Sequence, residues 1–295
     1  MRVNSTPAEV PMDATPATKR FSFEPFAETA EYLAVNRAAL SNLGRHISGA
    51  VRRMLDLATG VGTVVQLGRE QIPALRQAMV VCVDASREAI VAGQRRLAAE
   101  PNLHWVQAFA QHLPLKGPFE LTTFGNGIHN LSHEDKLLAL KEVFRVSGPG
   151  GLLFFNSAFY EGTVVEGTEA FYRAKILRAV AELKQLGIPR SKEGRAEARN
   201  WLKPEEYAEL VRAAGFEVVY LGQREVRVYR EGWRLICEYA DYAAGALHGY
   251  PVDIAAKVLS RAVVSVLDEL GFVDEHGRRY IPRRWLEVIA RKPPT

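Results

Sequence analysis

A chain of 295 residues with 47% hydrophobic and 24% charged side chains has ordinary globular usage, which excludes a fibrous or wholly disordered protein. Its net charge of +4 comes from 38 basic and 34 acidic residues interleaved along the chain, so no nucleic-acid-binding face is expected. It holds no run of about 18 apolar residues, so no membrane span is expected; its two cysteines, Cys82 and Cys237, lack metal-site or disulfide spacing and suit a reducing cytoplasm.

Residues 1–20 are rich in Pro, Thr, Ala and Ser and read as a flexible tail; no apolar core follows Arg2, so no signal peptide is expected. Residues 21–48 include "FEPFAETAEYLAVNRAALSNLG", amphipathic at helical spacing, which predicts one or two capping helices ending at Gly44. Strands and helices then alternate over residues 49–158. Strands are predicted at Arg53 to Leu57, Met79 to Val83 (ending at Asp84), His104 to Ala108, Phe119 to Phe124 and Leu152 to Ser157. Between them lie a helix from Thr63 towards Gln77 broken at Pro73, a helix capped by Ser86, and a helix from Glu134 to Val146 capped by Ser132. "GPGG", Gly148 to Gly151, reads as a tight turn.

Residues 159–200 read as a helical lid insertion. In residues 201–230 the core resumes, with a helix from Lys203 to Ala214 and a strand from Glu217 to Leu221. Residues 231–283 form a second helical insertion, with helices Glu231 to Ala246 and Asp253 to Leu270. Residues 284–295 hold the closing strand "RWLEVIA" and a tail. Repeated βα units with short connections predict an α/β fold: a doubly wound, mostly parallel, seven-stranded sheet with N-terminal helices and helical lids. Arg278, Arg279, Arg283 and Arg284 read as a solvated surface turn, with a clamp for an anionic substrate or partner as the alternative.

"MLDLATGVGTVV" carries the chemistry. Asp56 ends a strand, and Gly60 and Gly62 open a helix whose free amide N–H groups favour an anionic ligand. Asp84 follows Gly62 by about 22 residues, a spacing that suits a carboxylate accepting from ribose hydroxyls. A dinucleotide and S-adenosylmethionine both fit such a bend. Bulky Val65, where a dinucleotide turn wants a small residue, and the acidic Asp56 favour the second.

From Phe21 to Lys292, most densely from Leu55 to Phe155, the sequence resembles the class I S-adenosylmethionine-dependent methyltransferases. It is most similar to the bacterial small-molecule group that includes the quinone-biosynthesis (type 11) C-methyltransferases. "LDLATGVGT", "VDAS", "VQAFAQHLPL", "FGNGIHNL", "EVFRVSGPGGLLFF" and "RRWLEVIARKP" carry the resemblance. It implies a Rossmann-like fold, with Asp56, Ala58, Gly60 and Gly62 around the amino-acid end of the cofactor. Asp84 would lie on the ribose and Ala85 against the adenine. Phe109 and Ala110 would frame the base, although many relatives place Asp or Asn where Phe109 stands. Asn126 would lie near the sulfonium.

Tyr32 and Arg37, about one helical turn apart, would close over the cofactor, with Arg37 pairing its carboxylate; amphipathic packing is the alternative. His129, just past the fourth strand, is the candidate base or acceptor contact, because an imidazole titrates near neutral pH. Phe159, Tyr160, Phe171, Tyr172, Tyr239, Tyr242 and Tyr250 either line an apolar acceptor pocket or form core. "FGNG" lacks the acids a metal would need, so no metal is expected. The expected activity is in-line methyl transfer from S-adenosylmethionine, leaving S-adenosylhomocysteine, to a small, partly apolar metabolite, by a monomer or homodimer. The alternatives are a protein or RNA methyltransferase, a non-catalytic binder of the cofactor, and a nicotinamide oxidoreductase.

Overall fold

The computed structural model describes residues 24–191 and 201–294. The expected tail, residues 1–20, and residues 192–200 of the first insertion lie outside the described residues. Two helices, α1 (Glu24–Ala27) and α2 (Ala30–Gly44), precede the sheet, and the Thr29 side chain caps α2 by accepting from Tyr32 N–H. The alternating core follows: β1 (Arg53–Leu57), α3 (Thr63–Gln71), β2 (Met79–Asp84), α4 (Arg87–Arg96), β3 (Leu103–Gln107), β4 (Phe119–Gly125), α5 (His133–Val146) and β5 (Ser147–Ser157). Ser86 and Ser132 cap α4 and α5, as their positions before an acidic first turn predict. Beyond β5 come α6 (Glu169–Gln185), α7 (Pro204–Ala213), β6 (Glu217–Tyr229), α8 (Arg230–Glu238), α9 (Ala240–Ala246), α10 (Val252–Leu270), the two-residue β7 (Phe272–Val273) and β8 (Arg279–Arg291).

The sheet runs β3-β2-β1-β4-β5-β8-β6, with β7 paired to β8. The pairs among β1 to β5 are parallel, and β8 is antiparallel to both of its long neighbours. The chain winds outward from β1 to β3 and then returns to place β4 on the other side of β1. That reversal opens a crevice at the carboxyl ends of β1 and β4, where ligands of doubly wound sheets sit. One apolar core packs α5 and α7 on one face, and another packs α2 and α3 on the opposite face. A further core joins α1 and α2 to α6, α8 and α10 around Trp233 and Trp285, so the helical covers have a core of their own.

Three boundaries differ from the sequence reading. The "GPGG" segment is not a free turn but the bulged start of β5. Ser147 already pairs with Phe119, Gly150 takes φ +74°, and Gly150 N–H donates to Lys292 O at 3.0 Å. The strand β6 runs eight residues past Leu221, because β8 pairs with it as far as Tyr280. The strand β8 itself begins before Arg284 and tolerates Pro282, since on the edge away from β6 the β5 pairing ends at Leu286 and the β7 pairing begins only at Tyr280, so that Pro282 itself has no ladder partner there.

Ala58 sits at φ +48°, a left-handed conformation costly for a residue with a Cβ. Replacing it by glycine relieves that strain, less the extra entropy glycine loses on folding. Ala58→Gly is expected to stabilise the protein by about 1 kcal/mol and raise Tm by roughly 2–3 °C in a thermal melt. A fall in Tm would show that packing of the methyl group against the Gly127 backbone outweighs the strain.

Candidate active site

Asp56 stands at the end of β1, 1% exposed. Its carboxylate accepts from the Thr59 hydroxyl at 2.6 Å and from the Thr123 hydroxyl on β4. Burial pushes its pKa up to about 6 against the pull of those two hydroxyls, and the nearby Asp84 charge adds to the rise. Asp56 thus staples the bend to β4. The bend passes through Gly60 at φ +54° and Gly62 at φ +79°, the latter opening α3 without a side-chain cap. A side chain on Gly62 would collide with Leu97 at 2.4 Å, whereas a Cβ on Gly60 would meet nothing within 4 Å. The free face of the bend therefore lies at Gly60.

Asp84, half-buried at the end of β2, accepts from Gly60 N–H and Ser86 N–H, each at 2.9 Å. Each oxygen keeps a lone pair for a further donor. Ala85 is exposed beside it, its carbonyl accepting from Gln107 Nε2. Phe109 and Ala110 follow β3. The Phe109 ring is 61% exposed, and its loop is tied to Asp84 O through Ala108 N–H.

Across the crevice, Asn126 leaves β4 at φ +51°. Its Oδ1 accepts from Ala158 N–H at 2.9 Å, and its own N–H donates to Asn156. Asn156 Nδ2 reaches Asn36 Oδ1 on α2, and Asn36 donates to Tyr32 O. A buried amide chain thus fixes the N-terminal helix against the site. The Tyr32 phenol is buried among Asn36, Asn126 and Asp56, and burial raises its pKa above the ordinary tyrosine range. The Asn126 amide is buried beside the Tyr32 phenol, whose pKa it pulls back against burial. Arg37 differs from expectation: its guanidinium pairs with Glu70 at 3.0 Å near the far end of α3, on the solvent side. It is turned away from the bend because the buried stripe of α2 runs through Tyr32, Val35, Asn36 and Ala39.

His129 lies in the short 3-10 turn after Asn126, with Nδ1 3.0 Å from Ser157 Oγ and its ring 4.4 Å from that of Phe159. Burial drives its pKa down to about 3, and the charges of Lys136 and Arg283 push the same way. The expected titration near neutral pH is therefore absent; this imidazole is neutral at any working pH, because burial excludes its charged form. It opens onto a cavity of about 280 Å³ walled by Phe159, Trp201, Tyr239, Asp241 and Tyr242. The Tyr239 hydroxyl bonds to Asp241. Its pKa is raised by burial first, then by the Asp241 charge and, from farther off, by that of Asp84, so this wall faces the end of β2.

Three of the seven flagged aromatics line the cavity. Tyr160, Phe171 and Tyr172 are core, with the Tyr160 hydroxyl donating to Gln223, and Tyr250 packs half-buried against the cap core. Trp201 and Asp241 carry no signal in sequence, since only the folded insertions bring them to the crevice.

The arginine-rich turn is not uniformly on the surface. Arg278 pairs with Asp274, and Arg279 donates to Gly271 O. Arg283, by contrast, is 0% exposed: β8 alternates, and its side chain points into the cap core. The Lys175 side chain from α6 is buried there too, with Nζ 4.7 Å from the Trp233 ring and 4.8 Å from the Tyr242 ring. Neither cation forms an ion pair with a described residue. Ring faces return about 2 kcal/mol each at best, against several kcal/mol for stripping water from each ion.

This geometry agrees with relatives of known type. Residues 54–151 match a family model described as a methyltransferase domain. The chain is similar to the demethylmenaquinone methyltransferase of Chlamydia trachomatis, 33% identical over 123 residues, covering 41% of this chain and 49% of that enzyme. It spans about half the length of the curated relatives it matches. In fold it is similar to phosphoethanolamine N-methyltransferase 2 of Haemonchus contortus, solved with S-adenosylhomocysteine. That match has a TM-score of 0.53 and 16% identity, covering 94% of this chain and 57% of that one. It is equally similar to the [4+2]-cyclase SpnF, with a TM-score of 0.54 and 19% identity over 91% of this chain and 85% of that one. One fold thus surrounds different reactions, so the sheet alone does not decide the chemistry. Among the described residues no cluster of His, Cys, Asp and Glu has the makings of a metal site, and no helix is long and apolar enough to cross a membrane.

Proposed function

We propose that the protein is an S-adenosylmethionine-dependent methyltransferase acting on a small, partly apolar metabolite in the cytoplasm. The observation that carries this reading is continuity. The bend, Asp84 and Asn126 lie at or beside the switch point of the sheet, and His129, three residues beyond Asn126, opens onto a half-open cavity walled largely by aromatic rings. Open space at Gly60 and the buried polar pair of Asn126 and Tyr32 fit the amino-acid end of the cofactor. The spare lone pairs of Asp84 fit its ribose hydroxyls, and Ala85, Phe109 and Ala110 offer apolar faces for the base. S-adenosylmethionine, when bound, supplies an electrophilic methyl group and leaves as a neutral thioether.

The protein's part is alignment and exclusion of water. The one Ser157 hydroxyl proton has two neighbouring acceptors, Phe159 O at 3.2 Å and His129 Nδ1 at 3.0 Å, and in the tautomer in which it goes to Phe159 O, His129 Nδ1 carries a proton and Nε2 is left as an acceptor. His129 then orients an acceptor hydroxyl or amine by hydrogen bonding. With so low a pKa it does not store that group's proton. The cavity lining comes from one chain, which a monomer or a homodimer satisfies.

Isothermal calorimetry of the purified chain with S-adenosylhomocysteine is expected to show one site of about micromolar Kd. Heat on titrating a nicotinamide dinucleotide, with none for S-adenosylhomocysteine, would sink the reading.

A further inference from the structure

The cap core contains two cations that no described carboxylate balances. Arg283 donates through Nε and Nη2 to one acceptor, Ala158 O, while Nη1 is buried with no hydrogen bond. Lys175 Nζ has the Tyr242 hydroxyl and four aromatic faces, but no carboxylate among the described residues. The Tyr172 hydroxyl, on the same helix as Lys175, is buried close to Arg283, which opposes the rise that burial gives its pKa. Arg283 and Lys175 lie against the same two rings, Trp233 and Tyr242. Arg283 Cζ is 4.9 Å from the Phe159 ring centre as well. Phe159 and Tyr242, with ring centres 5.8 Å apart, are walls of the cavity onto which His129 opens. The cations therefore lie one ring layer behind the cavity. The carboxylate in the cavity lining is Asp241, which is bonded to Tyr239 on the side that faces Asp84.

We propose that the acceptor is an organic carboxylate, its acid group entering past Phe159 and Tyr242 to pair with Arg283 and Lys175 while its other end meets His129. A carboxylate supplies what the site lacks. Its two oxygens suit the planar donors of a guanidinium, and its charge offsets two buried positive ones. A neutral molecule of the same shape would leave both cations as they are. A cation would be repelled. The 280 Å³ cavity takes an aryl or short alkyl acid, and its largely aromatic walls suit such a body. The inference rests on reading this cavity as the acceptor pocket.

The test uses matched probes on the full chain: benzoate against benzamide and phenylacetate against phenylacetamide, titrated by calorimetry with and without saturating S-adenosylhomocysteine. At least one acid is expected to bind about tenfold or more tighter than its amide, the discrimination that charge-assisted pairing supplies. In Lys175→Met and Arg283→Met that preference is expected to fall to about twofold or less, with S-adenosylhomocysteine affinity unchanged. Should Arg283→Met not fold, Lys175→Met and the wild-type preference decide the matter. Amides binding as well as acids, or neither acid binding, overturns the proposal while leaving the methyl-donor reading intact. An acid preference with no binding of S-adenosylhomocysteine would overturn that reading and leave the anion site standing.

Discussion

Asp84→Ala is expected to weaken S-adenosylhomocysteine binding about 100-fold, read by calorimetry. Two hydrogen bonds from ribose hydroxyls to an ionised carboxylate contribute roughly 3 kcal/mol together, and that free energy is about two decades in Kd. The structure adds a second consequence. The same carboxylate holds Gly60 N–H and Ser86 N–H, which shape the bend and the start of α4. The alanine variant should therefore also lose about 2 kcal/mol of stability by leaving both donors without their partner. Asp84→Asn separates the two effects. It keeps one acceptor oxygen, which can meet only one of the two backbone donors because Gly60 N–H and Ser86 N–H use different oxygens, so about half of the lost stability at most should return while affinity stays about tenfold down. Wild-type affinity in a folded Asp84→Ala protein would remove Asp84 from the cofactor site.

Asp56→Asn is expected to change how stability depends on pH. The Asp56 carboxyl is raised from an ordinary value of 3.8 to about 6 by burial. Between those values the folded protein holds a proton that the unfolded chain has released. Stability therefore falls as pH rises through this window, by about 3 kcal/mol for a shift of this size, and is level above it. Asparagine does not titrate, and the Thr59 and Thr123 hydroxyls can turn to meet its amide. The stability of Asp56→Asn relative to wild type should rise by about 3 kcal/mol between pH 3.5 and pH 7.5, measured by urea unfolding at each pH. His129 works in the opposite direction. Its pKa is lowered to about 3, so its share of stability is complete above about pH 6.5 and is lost as pH falls. It is common to both proteins and cancels in the difference. A pH-independent difference would show that Asp56 ionises as freely as an exposed acid and that its bonds to Thr59 and Thr123 carry no burial cost.

Much of the glycine bend and its flanking acids was legible because it is local. The strand ending in Asp56, the glycine bend and the strand ending in Asp84 lie within about 30 consecutive residues, and short βα units force them to neighbouring strand ends. The serine caps of α4 and α5 were legible for the same reason, since a cap is set by residues three apart. The parallel order of β1 to β5 follows from the connection rules, and the antiparallel β8 is what an insertion between the last two strands allows.

The acceptor half was not legible in this way. Arg37 and Tyr32 are one helical turn apart on α2, and only the packing of that helix buries one and turns the other towards Glu70. Arg283 sits in a run that reads as a solvated turn until the pairing of β8 with β6 sends its side chain inward. Lys175 on α6, Tyr242 on α9 and Trp233 on α8 are far apart in sequence from Phe159 and His129 and meet only in the cap core. The ionisation of His129 and Asp56 belongs to the same class, because burial sets it and burial is a property of the whole fold. The sequence by itself determined the bend, the two acids and the sheet that presents them, since neighbouring residues and chain connectivity suffice for those. Only tertiary packing decided which charges went inside, and with them the shape and sign of the pocket, because desolvation depends on every element that closes over a site.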